Sequence, residues 1–181
     1  YRNADSQEVS GIDFGANVNF DLTDSITLTS SFEATYLLKY DFFSNGTKYK
    51  YAGTLSPCDY TSCSGSPRWR GSWQNTLAFG DFSLTGVVYY TSPFDLNAVD
   101  YGEEDCTFVN GQGIKGYKGN NTPVQCRSEA VWNFDLTANV KVSDRFSLYT
   151  NILNVLDIKA PLDVSAAYGT PRYNPAWAQP N

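Results

Sequence analysis

The sequence predicts an all-β fold, an antiparallel transmembrane β-barrel segment of about six consecutive strands. Three observations predict it. Six stretches alternate apolar and polar residues with period two, which gives each strand one apolar and one polar face. The links between them are alternately very short and very long, the arrangement of a barrel wall with tight turns at one rim and loops at the other. Aromatic residues sit at both ends of the apolar faces, like the two interfacial girdles of a membrane barrel.

The first strand runs from about Glu8 to Leu22. Ile12, Phe14, Ala16, Val18, Phe20 and Leu22 face one way, and Asp13, Gly15, Asn17, Asn19 and Asp21 the other. Thr23-Asp24-Ser25 turns it into a second strand, about Ile26 to Phe42, with Ile26, Leu28, Phe32, Ala34, Tyr36, Leu38 and Tyr40 on its apolar face against Thr27, Thr29, Ser31, Glu33, Thr35 and Lys39. A polar loop from Phe43 to Pro67 follows. The third strand, about Arg68 to Phe79, carries Trp69, Trp73, Leu77 and Phe79 on one face. Asn75 shares that face by strict alternation, so a bulge or a shifted register is expected near it. Gly80-Asp81 turns into the fourth strand, with Phe82, Leu84, Gly86, Val88 and Tyr90 on one face. The longest loop, Thr91 to Ser128, contains the acidic run Glu103-Glu104-Asp105. The fifth strand sets Trp132, Phe134, Leu136, Ala138, Val140 and Val142 against Asn133, Asp135, Thr137, Asn139 and Lys141. Ser143-Asp144-Arg145 leads to the sixth, with Phe146, Leu148, Thr150 and Ile152. From Asp157 the chain is Pro-rich, with no strand pattern.

Composition narrows the function classes. The chain has 181 residues, 15% of them aromatic, and a net charge of −6 with no basic run, so nucleic acid is not an expected partner. Histidine is absent, which removes the commonest general base and metal ligand. No Ser/His/Asp or Cys/His set, P-loop or dinucleotide fingerprint appears, so no enzyme activity and no cofactor are expected. No apolar run approaches the ~20 residues of a membrane helix, which leaves membrane strands open because alternation dilutes their apolar residues by half. A soluble β-sandwich also alternates, but it has no reason to segregate short from long links.

The four cysteines lie only in the long loops. They allow three pairings, of which Cys58–Cys63 with Cys106–Cys126 is the simplest because each closes one loop. Such closures are worth roughly 2 and 3 kcal/mol in the chain-entropy model, and they imply an oxidising compartment. The spacing is not that of a paired C-x₂-C zinc knuckle, and no metal site is expected. Arg68 and Arg70 alternate with Trp69, so both should face the lumen or its rim. There they would contact an anionic ligand or pair with Asp41. Tyr101 and Tyr117 lie in the longest loop, where an incoming small-molecule ligand would pass; each offers a flat apolar face and a hydroxyl.

Several segments, in order, resemble a known family. Gln7-Glu8-Val9-Ser10-Gly11-Ile12-Asp13-Phe14 resembles a late barrel strand opened by Gly and an acidic residue. Gly65-Ser66-Pro67-Arg68-Trp69-Arg70 resembles the lead into the following hairpin. Ser147-Leu148-Tyr149-Thr150-Asn151-Ile152-Leu153-Asn154-Val155-Leu156-Asp157 resembles a penultimate strand ending in Asn-x-x-Asp, with Asn154 and Asp157 in those positions. Tyr168-Gly169 and Tyr173-Asn174-Pro175 resemble the last external loop. Together they resemble the C-terminal barrel of a TonB-dependent outer-membrane receptor. The resemblance implies that residues 1–181 are part of such a barrel, without its plug domain and final strand. It implies a place in the outer membrane of a Gram-negative bacterium, with lipid, the rest of the barrel and the plug as partners, and TonB reached through that plug. It further implies active import of a scarce ligand of the siderophore, cobalamin or saccharide class. A passive porin and a secreted β-sandwich binding module are the alternatives. The short turns should be periplasmic, the cysteine loops extracellular, and the 91–128 loop part of ligand capture.

Overall fold

The structure, a computed structural model, describes residues 6–55, 65–96 and 127–159, and the backbone of the pairs 162–163 and 172–173. The four cysteines, Tyr101 and Tyr117 lie outside the described residues. The chain is all-β, and no helix is long and apolar enough to cross a membrane, which says nothing of strands. Six long strands form one antiparallel sheet in the order β1-β2-β4-β5-β8-β9. They are β1 (Ser6–Thr23), β2 (Ile26–Ser44), β4 (Trp69–Phe79), β5 (Phe82–Thr91), β8 (Val131–Ser143) and β9 (Phe146–Ile152). The short β3 (Thr47–Lys50) folds back on β2, and β6 (Phe94–Asp95) pairs with β7 (Arg127–Ser128). β10 (Leu162–Asp163) pairs with β11 (Arg172–Tyr173). The described sheet is open, with β1 and β9 at its edges.

The six alternating stretches are therefore six neighbouring strands, joined at one end by the expected tight turns. At the other end β2 and β3 meet in a two-residue hairpin whose Asn45 (φ 51°) and Gly46 (φ 77°) both take the left-handed conformation. A primed hairpin turn requires it, and Asn-Gly tolerates it best. β3, β6 and β7 have no counterpart in the alternation, because two to four residues are too few to show a period.

Register carries the two faces across the sheet. Directly opposed residues share a face. Ile26–Phe79 through Tyr36–Trp69, Arg70–Thr91 through Phe79–Phe82, and Phe82–Val140 through Thr91–Val131 pair without a shift. The apolar face consists of rows such as Phe20-Leu28-Leu77-Leu84-Ala138 and Ala16-Phe32-Trp73-Val88-Phe134. Its large side chains stand free, with Trp73 50% and Phe20 49% exposed. An apolar surface this continuous marks a face that something apolar covers. Near its ends the aromatic rings meet: Tyr36–Trp69 and Tyr90–Trp132 at 4.5 Å toward the loops, Phe79–Phe82 at 4.8 Å toward the turns.

Two details differ from the expected pattern. Because the ladder through Asn75 is unbroken, Asn75 keeps its place on the apolar face, between Ser30 and Gly86. In the same region the Trp73 indole N–H donates to Ser30 Oγ at 2.9 Å. The bulge lies elsewhere. Ser10 pairs with Lys39 and Gly11 with Leu37, so Leu38 is the extra residue. The shift turns Tyr40, now opposite Val9, onto the polar face, and corrects its placement beside Tyr36.

The small core lies beyond the wall, where the loops gather. Phe42, Tyr51, Leu55, Phe94 and Leu96 are buried there. Backbone bonds from Gly53 N to Ser66 O, Ser66 N to Thr54 O and Asp95 N to Gly53 O sew the loop segments together.

Glycine requirements separate two positions in this wall. A Cβ on Gly71 would lie 2.7 Å from Glu33 O and 3.1 Å from Ala34 Cβ, whereas one on Gly86 would meet nothing within 4 Å. Gly71→Ala should destabilise the sheet by about 1–3 kcal/mol, as overpacking does. Gly86→Ala should leave stability unchanged or slightly raised. Urea denaturation of the purified protein checks both, and equal midpoints would reject the close approach of β2 to β4.

Candidate functional site

The polar face has its densest chemistry in its loop-side half. Two adjacent rows build it. In the first, Asp13, Thr35, Arg70, Thr91 and Val131 stand opposite one another across five strands. In the second, Gly15, Glu33, Ser72, Tyr89 and Asn133 do the same. Gln74, Val87 and Asp135 follow in the next row. Each side chain is held by a strand in the middle or at the edge of a bonded ladder, so its direction is set by the pleat.

Several of these groups are already committed. Thr35 Oγ1 donates to Asp13 Oδ1 at 2.7 Å, and the Asn154 backbone N–H donates to Asp135 Oδ1 at 2.8 Å. Below them, Thr76 and Thr85 exchange a hydroxyl hydrogen bond at 2.9 Å. Glu33 is exposed, and neither it nor Tyr89 has a polar partner among the described residues. Tyr89 is 44% exposed, in rows built mainly from Thr, Ser, Asn, Gln and charged residues, with Val87 and Val131 among them. The Asn133 Oδ1 atom is buried without a hydrogen bond among the described residues.

Arg68 and Arg70 part company. Arg70 sits in the first polar row. Arg68 stands at the loop-side rim, where its Nη1 donates to the carbonyls of Leu37 at 3.3 Å and Leu38 at 3.4 Å. It thus caps the backbone that the β2 bulge opens, and its side chain also packs where a Cβ on Gly53 would fall, 3.1 Å from Nε. Asp41, offered by the sequence as an arginine partner, is buried and forms an ion pair with the exposed Lys48 at 2.6 Å. Lys48 also lies over the Phe43 ring at 5.1 Å. Nearby, the hydrogen bond from Lys39 to Glu8 at 2.8 Å holds the ammonium pKa above its ordinary value. Burial raises the Tyr40 hydroxyl, whose ring is 5.6 Å from Tyr51.

Asn154 and Asp157 close the wall's far edge. Both adopt left-handed backbone, φ 49° and 48°, which short polar side chains tolerate best. Asn154 bonds Ile158 twice at 3.0 Å, through Nδ2 to the carbonyl and Oδ1 from the N–H, while Val155 N donates to Phe134 O at 2.8 Å. The clasp ends β9 and anchors the following chain to β8.

The arrangement suits binding. Among the described residues no group of three metal-ligating side chains is close enough to hold a metal ion. Carboxylates, an amide and a hydroxyl supply hydrogen-bond acceptors and donors, Arg70 supplies charge-assisted donors, and Tyr89 supplies a flat face. Sequence reading placed Glu33, Asn133 and Asp135 on the polar face without joining them, and missed Tyr89. The signal for Tyr89 was an aromatic at an odd position in a strand whose apolar positions are even.

Removing Arg68 should loosen the loop core and spare the wall. Arg68→Ala should raise amide exchange at Tyr51, Gly53 and Ser66 by about tenfold or more, the cost of a lost charged hydrogen bond. Exchange from Thr76 to Leu84 should not change. Equal protection at Gly53 in both proteins would show that Arg68 is not the strut.

No protein-family model, curated protein or solved structure matches this chain.

Proposed function

We propose that this chain is wall and external loop of an outer-membrane active transporter that imports a scarce small-molecule ligand with energy relayed through TonB. One observation carries the reading: a continuous apolar face bounded by two aromatic rows at membrane spacing. From Trp69 to Phe79 the strand covers about 34 Å, or about 25 Å of height at a tilt near 40–45°, the height of a barrel's lipid-facing band. The Trp73–Ser30 bond supports it, since lipid offers an indole N–H no acceptor. The tight turns at one rim and long links at the other support an orientation with the turns periplasmic and Asn45–Gly46 outside. The segments resembling TonB-dependent receptors support the active mode of transport in this reading. An open sheet leaves backbone edges that a bilayer does not tolerate, so in this reading β1 and β9 pair with further strands of the same barrel.

Leu136→Arg should be costly, by roughly 2–4 kcal/mol near mid-membrane, and Asn139→Arg nearly silent. Heat-modifiable migration of the protein from outer membranes reads both. A cysteine at position 45 should react with an impermeant label on intact cells, and one at 144 should not; the reverse would invert the topology. For transport, cells making the full-length protein are offered ferric siderophores, cobalamin and oligosaccharides with and without an uncoupler. Accumulation that the uncoupler abolishes is expected. Equilibration indifferent to it would identify a passive porin, and a protein soluble without detergent would identify a sandwich.

A further inference from the structure

The loop-side half of the polar face is acidic and carries one uncommitted aromatic. Asp13, Glu33 and Asp135 stand there with Arg70. On the loop side Arg68 is engaged by the bulge carbonyls, Lys48 by Asp41 and Lys39 by Glu8. Lys141, at the opposite end of β8, is bound to Asp144 at 2.7 Å. An anionic ligand approaching this surface meets three carboxylates, and like-charge contacts disfavour it.

Glu33 and Tyr89 flank Ser72 in one row, two strand spacings or about 10 Å apart. Ser72 adds a hydroxyl between them, Asn133 an amide beside Tyr89, and Arg70 a guanidinium one row above. We infer that this row is a subsite for a neutral oligosaccharide, with Tyr89 as its stacking platform and Glu33 as acceptor for sugar hydroxyls. The chemistry matches term by term. A sugar ring has an apolar C–H face that lies on an aromatic ring, and its hydroxyls donate readily to carboxylates while accepting from amide and guanidinium N–H groups. A row that sets an exposed aromatic beside a carboxylate, an amide and a hydroxyl meets both demands; a metal chelate carrying negative charge meets neither. The inference rests on the transporter reading, which makes this face the lining of the barrel, and it selects one of that reading's ligand classes.

The test uses the full-length protein in outer membranes and radiolabelled maltohexaose, xylohexaose and N-acetylchitohexaose as neutral probes, with ferric enterobactin as the anionic comparator. At least one neutral probe should bind. Tyr89→Ala should weaken that binding by about tenfold or more, and Tyr89→Phe, which keeps the ring, by less than about threefold. Glu33→Gln should weaken it by about three- to tenfold, since a neutral acceptor replaces a charged one. All three variants should keep wild-type heat modifiability, which separates a binding loss from a folding loss. Failure of all three neutral probes to bind, or binding indifferent to Tyr89→Ala, overturns the assignment. Uncoupler-sensitive import of ferric enterobactin with no sugar bound would overturn it and leave the transporter standing. Passive equilibration of every probe would overturn both.

Discussion

Cross-strand register is the constraint on which everything else in this sheet depends. The side-chain period along a strand is two, so a slip of one residue between any two strands would move a whole set of apolar side chains to the other face. From β2 to β8 the ladders run without a shift. Trp69, Trp73 and Phe79 therefore stay with Tyr36, Phe32 and Ile26, and Arg70 stays with Thr35. The close approach of Gly71 to the Glu33 carbonyl shows how little play the β2–β4 ladder has. The three register shifts, at the β1–β2 bulge, at the β1–β2 turn and at the β8–β9 turn, leave the central ladders intact.

The bulge at Leu38 marks where the wall stops behaving as a wall. Beyond it Tyr40 and Phe42 turn toward the side on which Tyr49 and Tyr51 also lie, and a buried cluster begins. A bulge leaves backbone carbonyls without ladder partners, and Arg68 reaches from the next strand's lead to accept that role. One arginine therefore links the local break in β2 to the ordering of the loop segments around Gly53 and Ser66. Its position beside Trp69 in sequence gave no hint of this, since alternation tells which way a side chain points and not what it meets.

Much of the fold was legible because alternation is a direct image of the pleat. The strand spans, the tight turns and the neighbour order follow from it. The bulge was not legible, because Tyr36, Leu38 and Tyr40 continue an apolar alternation straight through it; an extra residue leaves no mark when its neighbours are also apolar. Asn75 misled in the opposite direction. A polar residue on an apolar face suggested a break, yet the ladder is continuous and Ser30 and Gly86 make room around it. The candidate site was only half legible. Arg70 follows from its spacing to Trp69, but the row that joins Glu33, Tyr89 and Asn133 depends on the exact register of three successive strand pairings, which one sequence cannot supply.

The strands are unequal: β1 and β2 have 18 and 19 residues, β4 and β5 only 11 and 10. With their tight turns at a common level, the first pair overtops the second by about eight residues, or about 27 Å measured along the strand. The rim is consequently a slope. Anything descending onto the polar face has a tall screen on the β1–β2 side, edged by Glu8 and Lys39, and a low sill at β5, where Tyr89 is the second aromatic below the edge. Among the described strands the screen stands on one side of that face, where it limits the orientations in which a long molecule can lie down across it.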